Sequence, residues 1–150
     1  MTCSVFVPKK GHKMDDCGSH TGGCLCGRVT YKIKSKLKNI VACHCKQCRV
    51  WSGHIWASTA CPIDKLSITS NVESLSWYIS SDHARRGFCN KCGSSLFWQQ
   101  TINGEQANYY AIAAGSLHEP INLDLDRHIF CKFKGAYYAI DSSEQQDQTY

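Results

Sequence analysis

Seven cysteines of this chain fall into three tight groups: Cys24 and Cys26 in "GCLCG", Cys43, Cys45 and Cys48 in "CHCKQC", and Cys89 and Cys92 in "FCNKCGS". No other feature restricts the fold as much. Alternate residues of an extended strand face the same way, so each C-x-C can aim two sulfurs at one point. The C-x-x-C group does the same across a tight turn, and Gly93 supplies backbone freedom where the chain bends round an ion. A structural zinc takes four such ligands in a closed tetrahedron. Seven sulfurs do not make two sets of four. They divide into four and three.

In all, 11 cysteines occur in 150 residues. The odd number argues against a fully paired disulfide framework, and the short spacings argue for metal. Cys61 and Cys131 read as small buried hydrophobes, and Cys3 and Cys17 as thiols of a leader. The opening "MTCSVFVPKKGHKMDDCGSH" has only Val5, Phe6 and Val7 as an apolar patch, which does not read as a signal peptide. No run approaches the ~18 apolar residues of a membrane span, so no membrane partner is expected. The expected location is cytoplasmic, where thiols stay reduced.

Residues 1–20 read as a flexible extension, 21–140 as one zinc-binding domain and 141–150 as a polar tail with nothing to bury. Between the ends the hydrophobic period is mostly two. In "GRVTYKIK", Val29, Tyr31 and Ile33 alternate with Arg28, Thr30, Lys32 and Lys34, as in a half-buried strand. "NIVAC" is expected to return as its hairpin partner, delivering Cys43. Further strands are expected over 54–59, 65–69, 74–80, 95–100, 107–115, 128–133 and 136–140. "INGE" reads as a hairpin turn, and "AIAAGSL" as strand or helical turn. The fold class is mainly β, a single domain of antiparallel sheets stapled by zinc.

The pairs Cys24/Cys26 and Cys89/Cys92 together make a closed site joining the two halves of the domain. The tripod Cys43, Cys45, Cys48 is locally complete but one ligand short, as in sites that accept water or substrate. Two alternatives stay open: the tripod shares a metal with one of the pairs, or Cys61 or His54 completes it. Three thiolates leave a zinc centre at −1 and lower its Lewis acidity, favouring a further sulfur ligand over water activation. The zinc deaminases do activate water at such a centre. Their glutamate two residues after the first ligand and their Pro-Cys-x-x-Cys are missing from "HCK", "HIW" and "HEP".

With these groups, "GGCLCGRVTY", "CHCKQCR" followed by Ser-Gly, and "FCNKCGSSLF" resemble the glutathione-dependent formaldehyde-activating enzyme family, also named for centromere protein V. The resemblance runs from about Gly22 to Phe133. It implies an Mss-four-like β fold with two zinc ions per chain. The structural zinc would fall on Cys24, Cys26, Cys89 and Cys92, and an exchangeable active-site zinc on Cys43, Cys45 and Cys48. The activity implied is a carbon–sulfur lyase reaction that joins glutathione to formaldehyde or splits the S-hydroxymethyl adduct. "RHIFCKFKGAYYAI" keeps the family's late histidine, His128, and is only loosely similar beyond it.

Glutathione, a small-molecule thiol, is anionic. Arg49, Lys46 and Arg28, beside metal ligands in sequence, are candidates for its carboxylates, or else solvated surface charges. Trp51 and Trp56 are candidates for pocket walls, or else core. His54 and His128 are candidates for proton shuttles or fourth ligands, or else structural. His44 alternates away from the flanking sulfurs and is not expected to be a ligand.

A non-catalytic zinc-stabilised binding module for nucleic acid or a protein is the rival. The formal charge of +5 favours it. Seven thiolates and two dications change that by −7 and +4, leaving about +2. The run "KIKSKLK" (32–38) reads as the wet face of a hairpin, so nucleic acid is not the expected partner. Oligomeric state is not encoded in these patterns.

Overall fold

Alternation of apolar and polar residues builds two sheets, seen in a computed structural model that describes residues 18–119 and 121–150. Cys3, Cys17 and the extension as far as residue 17 lie outside the described residues. Strands β1 (Ser19–Gly23), β2 (Thr30–Lys34) and β5 (Leu66–Ile68) form a three-stranded sheet in the order β1-β2-β5. The second sheet comprises β3 (Ile40–Cys43), β4 (Trp56–Pro62), β6 (Leu75–Ser81), β7 (Ala84–Cys89), β8 (Ser95–Gln100), β9 (Tyr109–Ala113) and β10 (Leu125–Ile129). Its order is β10-β3-β4-β9-β8-β7-β6. One α-helix among the described residues, α1 (Lys46–Ser52), follows β3. It ends on Gly53, whose left-handed φ of 83° a side chain would resist.

The mainly β class is therefore as expected, and "AIAAGSL" is both things, strand β9 running into a 3-10 turn at Ala114–Ser116. Other details differ. Residues of "NIVAC" do not pair with β2, which is flanked by β1 and β5. The chain instead crosses to the second sheet, held by the Lys38 N–H on Ala60 O (3.3 Å) and the Thr59 hydroxyl on Lys38 O. There β3 runs antiparallel to β4 and parallel to β10, an exception to the antiparallel expectation. Residues 136–140 form no strand, and 128–133 splits into the end of β10 and a 3-10 turn, Cys131–Phe133. Phe130, with φ of 58°, makes the break. Strand β7, "ARRGFC", is new: two adjacent arginines hide its alternation.

The polar tail is attached rather than loose. His128 N–H donates to Gln145 O (2.8 Å), Asp147 N–H to His128 O (2.8 Å) and Phe130 N–H to Thr149 O (3.2 Å). Its side chains bury little, but its backbone satisfies the outer edge of β10, which would otherwise be left unpaired.

The seven-stranded sheet has two different faces. Against the three-stranded sheet it packs Cys61, Phe97 and Ile112 onto Val29, Tyr31 and Ile33, the main core. Register sets the other face: Cys43 lies opposite Trp56, Ser58 opposite Ala113, Trp98 opposite Ala111 and Arg86 opposite Trp98. Opposed residues share a face. A second cluster of Cys43, Cys48, Trp56 and Ile129 covers it, with Cys45, Trp98 and Phe130 partly buried against them.

Candidate functional site

Two cysteine sets converge, one associated with each face of the large sheet. Cys24 and Cys26 come from the turn after β1, and Cys89 and Cys92 from the turn joining β7 to β8. All four sulfurs lie within 4.8 Å of one another. Cys24 Sγ is 3.5 Å from Cys26 Sγ, which is 3.8 Å from Cys89 Sγ. A tetrahedron with Zn–S bonds of about 2.3 Å has edges of about 3.8 Å, so the donor set fits that ion. Gly27 and Gly93 follow the two hooks with φ of 73° and 76°, bends that glycine adopts without strain. Val29 N–H donates to Cys24 Sγ at 3.2 Å, and Leu25 N–H to the Ser94 hydroxyl at 3.0 Å, tying one hook to the other. That hydroxyl also lies 3.2 Å from Cys92 Sγ and, with its backbone, draws the thiol down to about 5.

The tripod is built by a strand running into a helix. Cys43 ends β3, Cys45 caps α1 and Cys48 lies in its first turn. Cys48 N–H donates to Cys45 Sγ at 3.4 Å, the ordinary capping bond with sulfur in place of oxygen. The three sulfurs lie within 4.8 Å of one another, and among the described residues no histidine, cysteine or carboxylate adds a fourth donor to that set. Cys43 and Cys48 are buried and Cys45 half-buried. Hydrogen bonds from its two neighbours hold the Cys45 thiol far below the ordinary range, while those same contacts push Cys43 up. Three thiols this close cannot ionise independently. Such a set could hold a cation, which would neutralise the thiolates.

The neighbours expected from sequence take diverse places. His44 points away from the sulfurs: its Nε2 is 2.7 Å from His128 Nδ1 and its Nδ1 is 2.7 Å from the Tyr138 hydroxyl. Burial, with the charge of His128 adding, lowers His44 to about 4. The other nitrogen of His128 lies 3.1 Å from Glu144 Oε2, so both are taken. His54 sits against Tyr137 and Tyr138. Cys61 is fully buried in the main core. Neither joins the tripod. Arg49 spends donors on His44 O (3.2 Å) and Phe133 O (3.1 Å). Lys46 is exposed at the start of α1. Arg28 is exposed beside the four-sulfur set, where its backbone bonds to Cys26. Trp51 stacks on Tyr78 and meets Phe88 edge-on, walling a cavity of about 310 Å³ with Gly93 and Ser95. Trp56 is buried opposite Cys43, its indole N–H without a partner among the described residues. Lys32 and Lys34 are the exposed alternates of β2.

One neighbour was missed. Arg86, on β7, is 3% exposed, and its Nη2 donates to Cys48 Sγ at 3.6 Å. The alternation Ala84, Arg86, Phe88 could have placed it on one face, had the segment been read as a strand.

Comparison with known proteins agrees with this geometry. An uncharacterized lyase of Schizosaccharomyces pombe is 32% identical over 110 residues, covering 73% of this chain and 77% of that protein. A crystal structure of a Rhodobacter sphaeroides protein shares the fold with a TM-score of 0.55 at 23% identity, covering 68% of this chain and 91% of that one. The family model described as glutathione-dependent formaldehyde-activating enzyme matches residues 19–133, a span that contains both cysteine sets. With sulfurs so placed and a match over most of its length, the chain belongs to the glutathione-dependent formaldehyde-activating enzyme family.

Proposed function

We propose that the chain is a carbon–sulfur lyase acting on a thiol adduct such as S-hydroxymethylglutathione, with one zinc ion on each cysteine set. The observation that carries this reading is a three-sulfur tripod, two of its cysteines buried, with no fourth donor among the described residues. Family membership and the lyase-named relative support it. The four-sulfur set serves as the structural centre, and zinc-binding thiols of this kind suit a cytoplasmic setting, where thiols stay reduced.

In the lyase direction the adduct R–S–CH₂–OH gives up its hydroxyl proton to solvent and the carbon–oxygen double bond forms. The carbon–sulfur pair returns to sulfur, yielding thiolate and formaldehyde. The reverse reaction joins them. Cys43, Cys45 and Cys48 would hold the ion, which when bound would supply a Lewis-acidic coordination position for a sulfur or oxygen ligand. The chain's own contribution is orientation and exclusion of water. Trp56 and Ile129, with Trp98 and Phe130 partly buried against them, form an apolar surround in which charge interactions are strong. Lys46, exposed on α1, is the cation best placed to meet a glutathione carboxylate, since Arg49 is already engaged.

The test is to add S-hydroxymethylglutathione to zinc-loaded protein and follow formaldehyde release. Turnover that disappears in Cys45→Ser while the fold persists is expected. Fully loaded protein that neither turns over the adduct nor perturbs the NMR lines of added glutathione overturns the reading.

A further inference from the structure

Two adjacent arginines on β7 are sent to opposite faces by the strand's alternation. Arg85 is satisfied: its guanidinium lies 4.3 Å over the Trp77 ring and its Nε donates to Gln99 Oε1 at 2.8 Å. Arg86 is not. It is the one Lys, Arg, Asp or Glu buried among the described residues. Its Nη2 reaches Cys48 Sγ at 3.6 Å, and its Nη1 is enclosed with no acceptor among the described residues. Both amino groups share one carbon, so the unpartnered N–H group is at most a guanidinium width farther from the tripod. The side chain is held by its place opposite Trp98 and by the Trp51 ring, 5.8 Å away.

A buried cation with unused donors is costly unless something anionic meets it. Charge counting identifies that something. A dication on three thiolates carries −1, and a fourth thiolate takes it to −2. At the four-sulfur set Cys26 is exposed, so water can screen that charge. At the tripod Cys43 and Cys48 are 7% and 5% exposed and Cys45 is half-buried, so water screens less and a protein cation gains in effect. Arg86 brings the total back to −1.

We propose that Arg86 is the positioning residue that allows the tripod to accept an anionic fourth ligand, a thiolate above all. This rests on the metal-tripod reading above. Arg86 favours anions over neutral ligands of similar size, and so selects the thiolate form of a substrate.

The test uses the full chain loaded with Co²⁺, whose sulfur-to-metal absorption reports coordination. Wild type, Arg86→Gln and Arg86→Lys are titrated with azide and with 2-mercaptoethanol, which binds as its thiolate and releases its proton to buffer, as anionic ligands, and with imidazole as a neutral one. The absorption of the four-sulfur set serves as an internal check of fold, and Arg86→Met replaces the Gln variant if that check fails. The expected result is anion affinity reduced about tenfold or more in Arg86→Gln. Imidazole affinity stays unchanged, and Arg86→Lys recovers most of the anion affinity. Equal loss for anions and imidazole, or no loss at all, overturns the proposal. Azide binding without thiol binding in the wild type defeats the thiol reading while Arg86 is still judged on azide. A wild-type site that accepts neither anion defeats both.

Discussion

His44 Nε2 and His128 Nδ1 lie 2.7 Å apart, joining the residue between two tripod cysteines to β10 and, through Glu144, to the C-terminal segment. His44 is fully buried. Replacing His128 by alanine leaves its ring nitrogen unsatisfied, a loss of about 1–3 kcal/mol. Urea unfolding should show it, with the four-sulfur set still binding metal. An unchanged midpoint would show that the pair contributes nothing.

Deletion of residues 141–150 should also destabilise the protein. The segment supplies the carbonyls of Gln145 and Thr149 to β10 and the ion pair of Asp147 with Arg127 (3.6 Å). A fall of about 2 kcal/mol is expected from the lost backbone bonds. Faster amide exchange at His128 and Phe130 would localise it, and a truncated chain as stable as the full one refutes the assignment.

The two cysteine sets, with zinc on each as proposed, should separate by mutation. Cys92→Ser breaks a centre that ties β1 to β7 and should cost at least ~3 kcal/mol, since structural metal binding is folding free energy. Cys45→Ser should leave a folded chain that keeps one zinc and loses the more easily chelated one. Native mass spectrometry after a chelator challenge reads this directly. If both variants unfold alike, the division of labour fails.

Gly22 has no room for a methyl group. A Cβ there would lie 2.3 Å from the Tyr31 ring and hydroxyl and 2.5 Å from Ser116 O. Gly22→Ala should therefore cost about 1–3 kcal/mol, the usual range for overpacking. It should also break the 2.6 Å bond between the Tyr31 and Ser116 hydroxyls. Thermal unfolding checks the size.

Alkali should weaken the main core. Burial, with the charge of Asp64 adding, pushes the Cys61 thiol up to about 12, and burial raises the Tyr31 phenol as well. Both groups stay neutral in the fold while an unfolded thiol ionises near ~8.5. Their contribution is thus intact below that pH and is lost as pH climbs towards 12, about 1 kcal/mol per pH unit for Cys61. Unfolding midpoints between about pH 8 and pH 11 should fall accordingly, and Cys61→Ala should flatten the slope.

The cysteine partition was readable from spacing because ligand geometry is local: C-x-C and C-x-x-C each prepare a pair of sulfurs before any tertiary contact forms. Pairing partners were harder. "NIVAC" carries apolar residues compatible with either sheet, and only the crossing at Lys38 decides which it joins. Strand β7 escaped because Arg85 and Arg86 look alike in sequence yet occupy opposite faces. The tail escaped for a different reason. Its contribution is made by backbone carbonyls, and composition says nothing about those.

The two cysteine sets differ in sequence reach, and this has a consequence for biosynthesis. A nascent chain exposes all three tripod sulfurs within six residues, whereas the other centre waits for Cys92, more than forty residues later. During translation the tripod can therefore capture an ion before either sheet is complete, and the enclosing centre closes afterwards around Cys24 and Cys26. If both sets take zinc as proposed, loading would follow the direction of synthesis, with the tripod filled first and the four-sulfur set last.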